Sequence, residues 1–152
     1  MGVYGIIGSD SLPKGSSEVL MKELKALVRE GVIEFVVAMD RGIGLLAANA
    51  VLTLKQENPG LRLTCLLLWE EQAADWPEPV REIWFNTIRL CDREVMLERH
   101  RSSRNEAERD CFLLKYCDAL LFCGASAETF EELENRARTA GIKARRVEIP
   151  KG

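Results

Sequence analysis

The stretch Glu34 to Lys55, EFVVAMDRGIGLLAANAVLTLK, reads as a buried strand, a tight turn with two glycines and then a helix. Phe35, Val36 and Val37 form a β-branched and aromatic run too short for a helix, and Gly42 and Gly44 punctuate it. From Leu45 onward, alanines and leucines give a long helical stretch. A strand that runs through a glycine turn into a helix is half of a βαβ unit, which predicts an α/β protein. Such turns often hold a phosphate, because backbone N–H groups there point at the ligand from the positive end of a helix. In this turn Asp40 stands beside Arg41, and Ala47 takes the third glycine position.

Outward from that unit the same alternation repeats. Strands are expected near Val3 to Ile7, Ile33 to Met39, Leu61 to Leu68, Glu94 to Leu97, Ala119 to Cys123 and Arg146 to Ile149. Helices are expected over about Ser17 to Arg29, from just after Gly44, and over about Glu78 to Leu90, Asn105 to Tyr116 and Ala127 to Ala140. Gly31 and Gly141 follow two of these helices, where a residue without Cβ turns the chain left-handed. Ser103 with Glu106 fits a capping box for the fourth helix, and Ser126 is a candidate N-cap for the fifth. The pattern predicts a single doubly wound Rossmann-like domain over 1–152. Its sheet is mainly parallel, with about six strands and helices on both faces.

The 152 residues suit one domain that buries roughly two thirds of the surface of its unfolded chain. No apolar run approaches the ~20 residues that cross a bilayer, so no membrane association is expected. The start MGVYGIIGSD lacks a basic leader, and Ile6 stands where myristoylation needs Ser or Thr, so a cytoplasmic protein is expected. Five cysteines without a Cys-x-x-Cys pair read as reduced thiols, and a single histidine argues against structural zinc, so no metal is expected. A net charge of −3 disfavours nucleic acid, which wants a basic face.

Ligands of such sheets sit beyond the carboxyl ends of the strands. The candidates are therefore Gly8, Ser9 and Asp10, the loops 40–44, 69–76 and 98–104, and the segment from Gly124 to Thr129. Gly42, Gly44 and Ala47 fit Gly-x-Gly-x-x-Gly/Ala, though after the second strand and not the first. Close helix-to-sheet packing explains the two glycines equally well. Arg99, His100, Arg101 and Arg104 form a basic cluster that reads as a solvated loop or an anion contact, with Arg109 further into the next helix. Glu128, Glu131, Glu132 and Glu134 complement a helix dipole.

These features resemble the SLOG superfamily, the Rossmann-like proteins that include DprA and the LOG-type phosphoribohydrolases, and within it the YpsA-like branch. The residues that carry the likeness are Gly8; Gly42 with Ala47 and Ala48; Leu54, Lys55 and Pro59; Gln72 with Trp76; Asp92; Arg109 with Phe112, Leu113 and Leu114; and Asp118. Several loops depart from the family. Its Thr-Gly-His-Arg-Pro becomes Ile7-Gly8-Ser9-Asp10-Ser11, and its Gly-Gly-Ala-x-Gly-x-Asp becomes 38–44 with Gly44 in place of the Asp. Its Arg-Asn becomes Arg109-Asp110, and the late glycine loop shrinks to Gly124 with Thr129.

The resemblance and the strand-end glycines together imply a small-molecule binding protein for a nucleotide or ADP-ribose-like ligand. Gly8, Ser9, Asp40, Arg41, Gly42, Gly44, Gln72, Arg109, Asp110, Gly124 and Thr129 are its expected ligand-binding residues. A LOG-like hydrolase of a nucleotide N-glycosidic bond is the alternative, with Glu131 or Glu132 as the catalytic carboxylate. A third reading is a non-catalytic scaffold acting through a homodimer or a protein partner. The sequence specifies no cofactor.

Overall fold

The computed structural model describes residues 2–9, 14–124 and 127–148, with the backbone alone for 127–129. Its elements alternate throughout: β1 (Val3–Gly8), α1 (Ser16–Arg29), β2 (Glu34–Ala38), α2 (Ile43–Glu57), β3 (Arg62–Trp69), α3 (Glu78–Leu90), β4 (Arg93–Glu98), α4 (Asn105–Tyr116), β5 (Ala119–Cys123), α5 (Ala127–Thr139) and β6 (Lys143–Val147). The strands form one all-parallel sheet in the order β4-β3-β2-β1-β5-β6. The expected α/β class and Rossmann-like layering are what the chain adopts.

Strand order sets the position of the site. From β1 the chain steps outward through β2, β3 and β4, then returns to add β5 and β6 on the other side of β1. Right-handed crossovers put α1, α2 and α3 on one face and α4 and α5 on the other. The two cores follow this division. Leu20, Leu24, Leu27, Val51 and Trp84 pack on Phe35, Val37, Leu63 and Leu67. Leu113, Phe130, Leu133 and Ala137 pack on Ile7, Val36, Leu66 and Leu120. A strand covered on both faces must be apolar at every position, hence the unbroken FVVA and LLFC runs of β2 and β5.

Three local expectations shift. The sixth strand begins at Lys143, directly after the left-handed Gly141 (φ 77°) and Ile142, and its described part ends at Val147. Its basic composition hid it: at the sheet edge, β6 alternates Arg145, ion-paired to Glu23 of α1, with Arg146, paired to Glu134 of α5. The second helix starts at Ile43, one residue before the second glycine. The capping box of Ser103 with Glu106 is absent. The buried Asn105 does that work instead, accepting from Ser102 N at 2.6 Å and donating to Leu68 O at 3.2 Å, so it ties the loop after β4 to the end of β3. The expected cap Ser126 lies outside the described residues.

The opposite end of the sheet explains several residues of the family likeness. Lys55 pairs with Asp92, whose other oxygen accepts from Leu63 N at 2.8 Å. Asp118 accepts from Gly2 N at 3.1 Å and Val3 N at 3.0 Å, fixing the start of β1 against β5. These carboxylates join strands at their amino ends, away from the cleft described next.

Candidate functional site

Beyond the carboxyl ends of the strands lies a cleft of about 560 Å³. It is lined by Gly8 from β1, Asp40 and Arg41 after β2, Leu68 and Trp69 at the end of β3 with Gln72, Asp75 and Trp76 after it, Arg101, Glu106 and Arg109 around the start of α4, and Phe130 of α5. Of the residues expected to bind a ligand, Gly8, Asp40, Arg41, Gln72 and Arg109 therefore meet at one place.

The glycine turn has a specific local chemistry. A helix leaves its first N–H groups without intrahelical acceptors. In α2 each of them has a partner inside the protein. Asp40 Oδ1 accepts from Gly42 N at 2.8 Å and from Gly44 N at 2.9 Å. Ser9 O accepts from Ile43 N at 2.9 Å, and Asp40 O from Leu45 N at 3.2 Å. The Asp40 carboxylate thus occupies the position a bound phosphate would take, at the positive end of the helix.

Gly8 and Gly44 are there for close approach. A Cβ on Gly44 would run into the carbonyl oxygen of Ala38 and lie 2.8 Å from Asp40 Oδ2. A Cβ on Gly8 would overlap Ile43 and sit 3.2 Å from Cys123 O. The turn packs α2 so tightly on β1 and β2 that neither position tolerates a side chain.

Gln72 is buried and structural in geometry. Its Oε1 accepts from Leu68 N at 3.0 Å and its Nε2 donates to Met39 O, which holds the ends of β2 and β3 together. Arg109 differs. Among the described residues it donates only through Nε, to Asp110 Oδ1 at 3.0 Å, and its side chain is 17% exposed at the cleft wall. Burial pushes the Asp110 carboxyl above its usual range, and the adjacent Arg109 guanidinium opposes that rise.

The other expected residues sit apart. Gly124 closes β5 in a left-handed conformation (φ 74°), and the side chain of Thr129 lies outside the described residues. Glu131 and Glu132 are exposed on α5. Glu132 borders a separate depression between α4 and α5, with Leu114, Asn135, Arg136 and Thr139, and neither glutamate is among the residues lining the cleft. The basic cluster divides similarly: Arg101 lines the cleft with its guanidinium 5.5 Å from the Trp69 ring centre, while Arg99 and Arg104 reach Glu70 and Glu98 on the surface.

Sequence reasoning had Asp75 only as part of the loop 69–76 and Glu106 only as a capping residue, where both are exposed carboxylates of the cleft, and it did not foresee the capping role of Asp40. Asp40 was readable in principle, since an Asp just ahead of a helix start is an N-capping signal.

The profile of the YspA SLOG family (YpsA) matches residues 12–135. A UPF0398 protein of Halalkalibacterium halodurans is 32% identical over 71 residues, 47% of this chain and 38% of that protein. UPF0398 proteins of Listeria monocytogenes and Lysinibacillus sphaericus are 29% and 26% identical over 68% of this chain, which covers 58% and 59% of their lengths. The chain thus spans less than two thirds of the curated relatives it matches.

Proposed function

This chain belongs to the YspA SLOG family, and from that premise we propose that it binds a small nucleotide or ADP-ribose-like molecule in the cleft beyond the carboxyl ends of its strands. The observation that carries the reading is the convergence of Gly8, Asp40, Arg41, Gln72 and Arg109 on one cleft of about 560 Å³, within the size range of small-molecule sites. The cleft has aromatic walls in Trp69 and Trp76 and a guanidinium, Arg109, with donors to spare. Hydrolysis of an N-glycosidic bond has less support. It asks for a carboxylate beside a held substrate, and Glu131 and Glu132 do not line the cleft.

The test is a thermal-shift screen of nucleotides and nucleotide sugars. A ligand at 100 times its dissociation constant adds about 2.7 kcal/mol, a readily measured rise in midpoint. The Arg109→Ala variant should bind the same ligand about 1.5–3 kcal/mol more weakly, the range for a hydrogen bond to a charged group. Unchanged affinity in that variant would move the site elsewhere.

A further inference from the structure

Resting on the reading above, we propose that the ligand's anionic group is held by Arg109 and Arg101 and not by the glycine turn, that its base stacks on Trp69 and Trp76, and that the cleft prefers a singly phosphorylated nucleoside or a nucleotide sugar to a triphosphate. The argument begins at α2. The donors that would cradle a phosphate there are spent on Asp40 Oδ1, Asp40 O and Ser9 O. Asp40 also brings a negative charge that cancels the helix end's attraction for another anion. A phosphate entering at Gly42 to Gly44 must first expel that carboxylate.

Of the cleft's three cations, Arg41 adjoins the turn beside Asp40, and the other two stand on the α4 side. Arg109 rises from α4 and Arg101 from the loop before it, both across the opening from α2. Beside them stand the broad flat surfaces of the site. Trp69 ends β3 with Arg101 over its ring, and Trp76 is held edge-on to the buried Trp84 at a ring separation of 6.0 Å. Indole faces and guanidinium planes both accept a stacked heterocycle. Asp75 and Glu106 line the same wall and, as carboxylates, accept hydrogen bonds from sugar hydroxyls. Base, sugar and anion thus each find a matching partner between β3 and α4.

Charge sets the number of phosphates. The cleft's cations are Arg41, Arg101 and Arg109, and its anions are Asp40, Asp75 and Glu106, an even balance. Arg109 is further offset by its bond to Asp110. On a wall with no positive charge in excess each added phosphate is less well matched, so a triphosphate fits worse than a single phosphate or a diphosphate ester.

The experiment measures quenching of tryptophan fluorescence by adenosine monophosphate, ADP-ribose, ATP and ribose 5-phosphate, with heat capture by calorimetry on the same samples. Adenosine monophosphate or ADP-ribose should bind about tenfold or more tighter than both ribose 5-phosphate and ATP, the lower range of base–aromatic stacking for the former. Trp69→Leu should abolish the advantage over ribose 5-phosphate, and Arg109→Met should weaken every phosphorylated probe. Circular dichroism of each variant separates lost binding from lost fold. ATP binding tightest, or ribose 5-phosphate matching adenosine monophosphate, overturns this inference while leaving the binding role intact. No heat and no quenching from any of the four overturns both.

Discussion

Removing the carboxylate of Asp40 tests the central feature of the site. In the wild-type chain one oxygen serves the N–H groups of Gly42 at 2.8 Å and Gly44 at 2.9 Å, both at buried residues. Loss of a side-chain cap costs about 0.5–2 kcal/mol. Loss of a negative charge at the helix's positive end adds about 0.3–1 kcal/mol. Asp40→Ala forfeits both and should lower stability by about 0.8–3 kcal/mol. At about 2–4 °C per kcal/mol for a domain of this size, its midpoint should fall by roughly 2–12 °C. Asp40→Asn keeps an acceptor oxygen and should lose only the charge contribution. Urea titration followed by far-ultraviolet circular dichroism gives both differences. Inorganic phosphate supplies a second readout: with the turn's donors released, it should stabilise Asp40→Ala more than the wild type. An alanine variant within about 0.5 kcal/mol of wild type, or one indistinguishable from the asparagine variant, would refute the assignment of Asp40 as the resident anion of this turn.

Gly44→Ala should lose about 1–3 kcal/mol or more, because the added methyl meets the backbone carbonyl of Ala38, which cannot swing away; a urea midpoint near wild type would contradict that packing. The hydrogen bonds from Arg146 hold the Glu134 carboxyl below its ordinary 4.5. A depressed folded-state pKa gives stability that is present above pH 4.5 and is lost as pH falls through the lower folded value, so Glu134→Gln should flatten the acid limb of a stability–pH curve and leave its neutral region sloping as before. All five cysteines are free. The Cys65 hydrogen bond brings the half-buried Cys91 thiol down to about 7, whereas burial pushes Cys117 and Cys123 up to about 12. Iodoacetamide near neutral pH, read by peptide mass mapping, should therefore label Cys91 and the exposed Cys111 first, and equal labelling of Cys123 would count against this order.

The fold was legible because its signals are local and repeated. Apolar runs such as FVVA and LLFC announce strands covered on both faces, and Gly31 and Gly141 stop their helices at φ 107° and 77°. What escaped was settled by partners distant in sequence. No spacing rule shows that KARRV is a strand, because its arginines are matched by Glu23 and Glu134, far away along the chain. Asn105 outranked Ser103 as the organiser of the fourth helix start because Leu68 O, 37 residues away, was there to accept from it.

The cleft at the strand ends was legible as a place, and its internal chemistry less so. Reasoning from strand ends pointed to Gly8, Asp40, Arg41 and Gln72 and the family likeness to Arg109, and all five line this one cleft. Glycine patterns alone, however, cannot say whether a turn's donors face a ligand or the protein itself. Here that turns on Asp40. The family likeness places an acidic residue at position 44, and this chain has glycine there and an aspartate four residues earlier. The structure joins the two changes: Asp40 reaches Gly44 N, and a side chain at position 44 would strike Ala38 and crowd Asp40. The carboxylate is retained by the turn but enters from the strand side, so the two substitutions work only together. Reverting either one alone should therefore cost stability, and the double reversion, Asp40→Ala with Gly44→Asp, should still carry the backbone clash at position 44 unless α2 also moves away from β2. The spacing between helix and sheet, more than either residue by itself, decides whether this turn holds its own anion or receives one from outside.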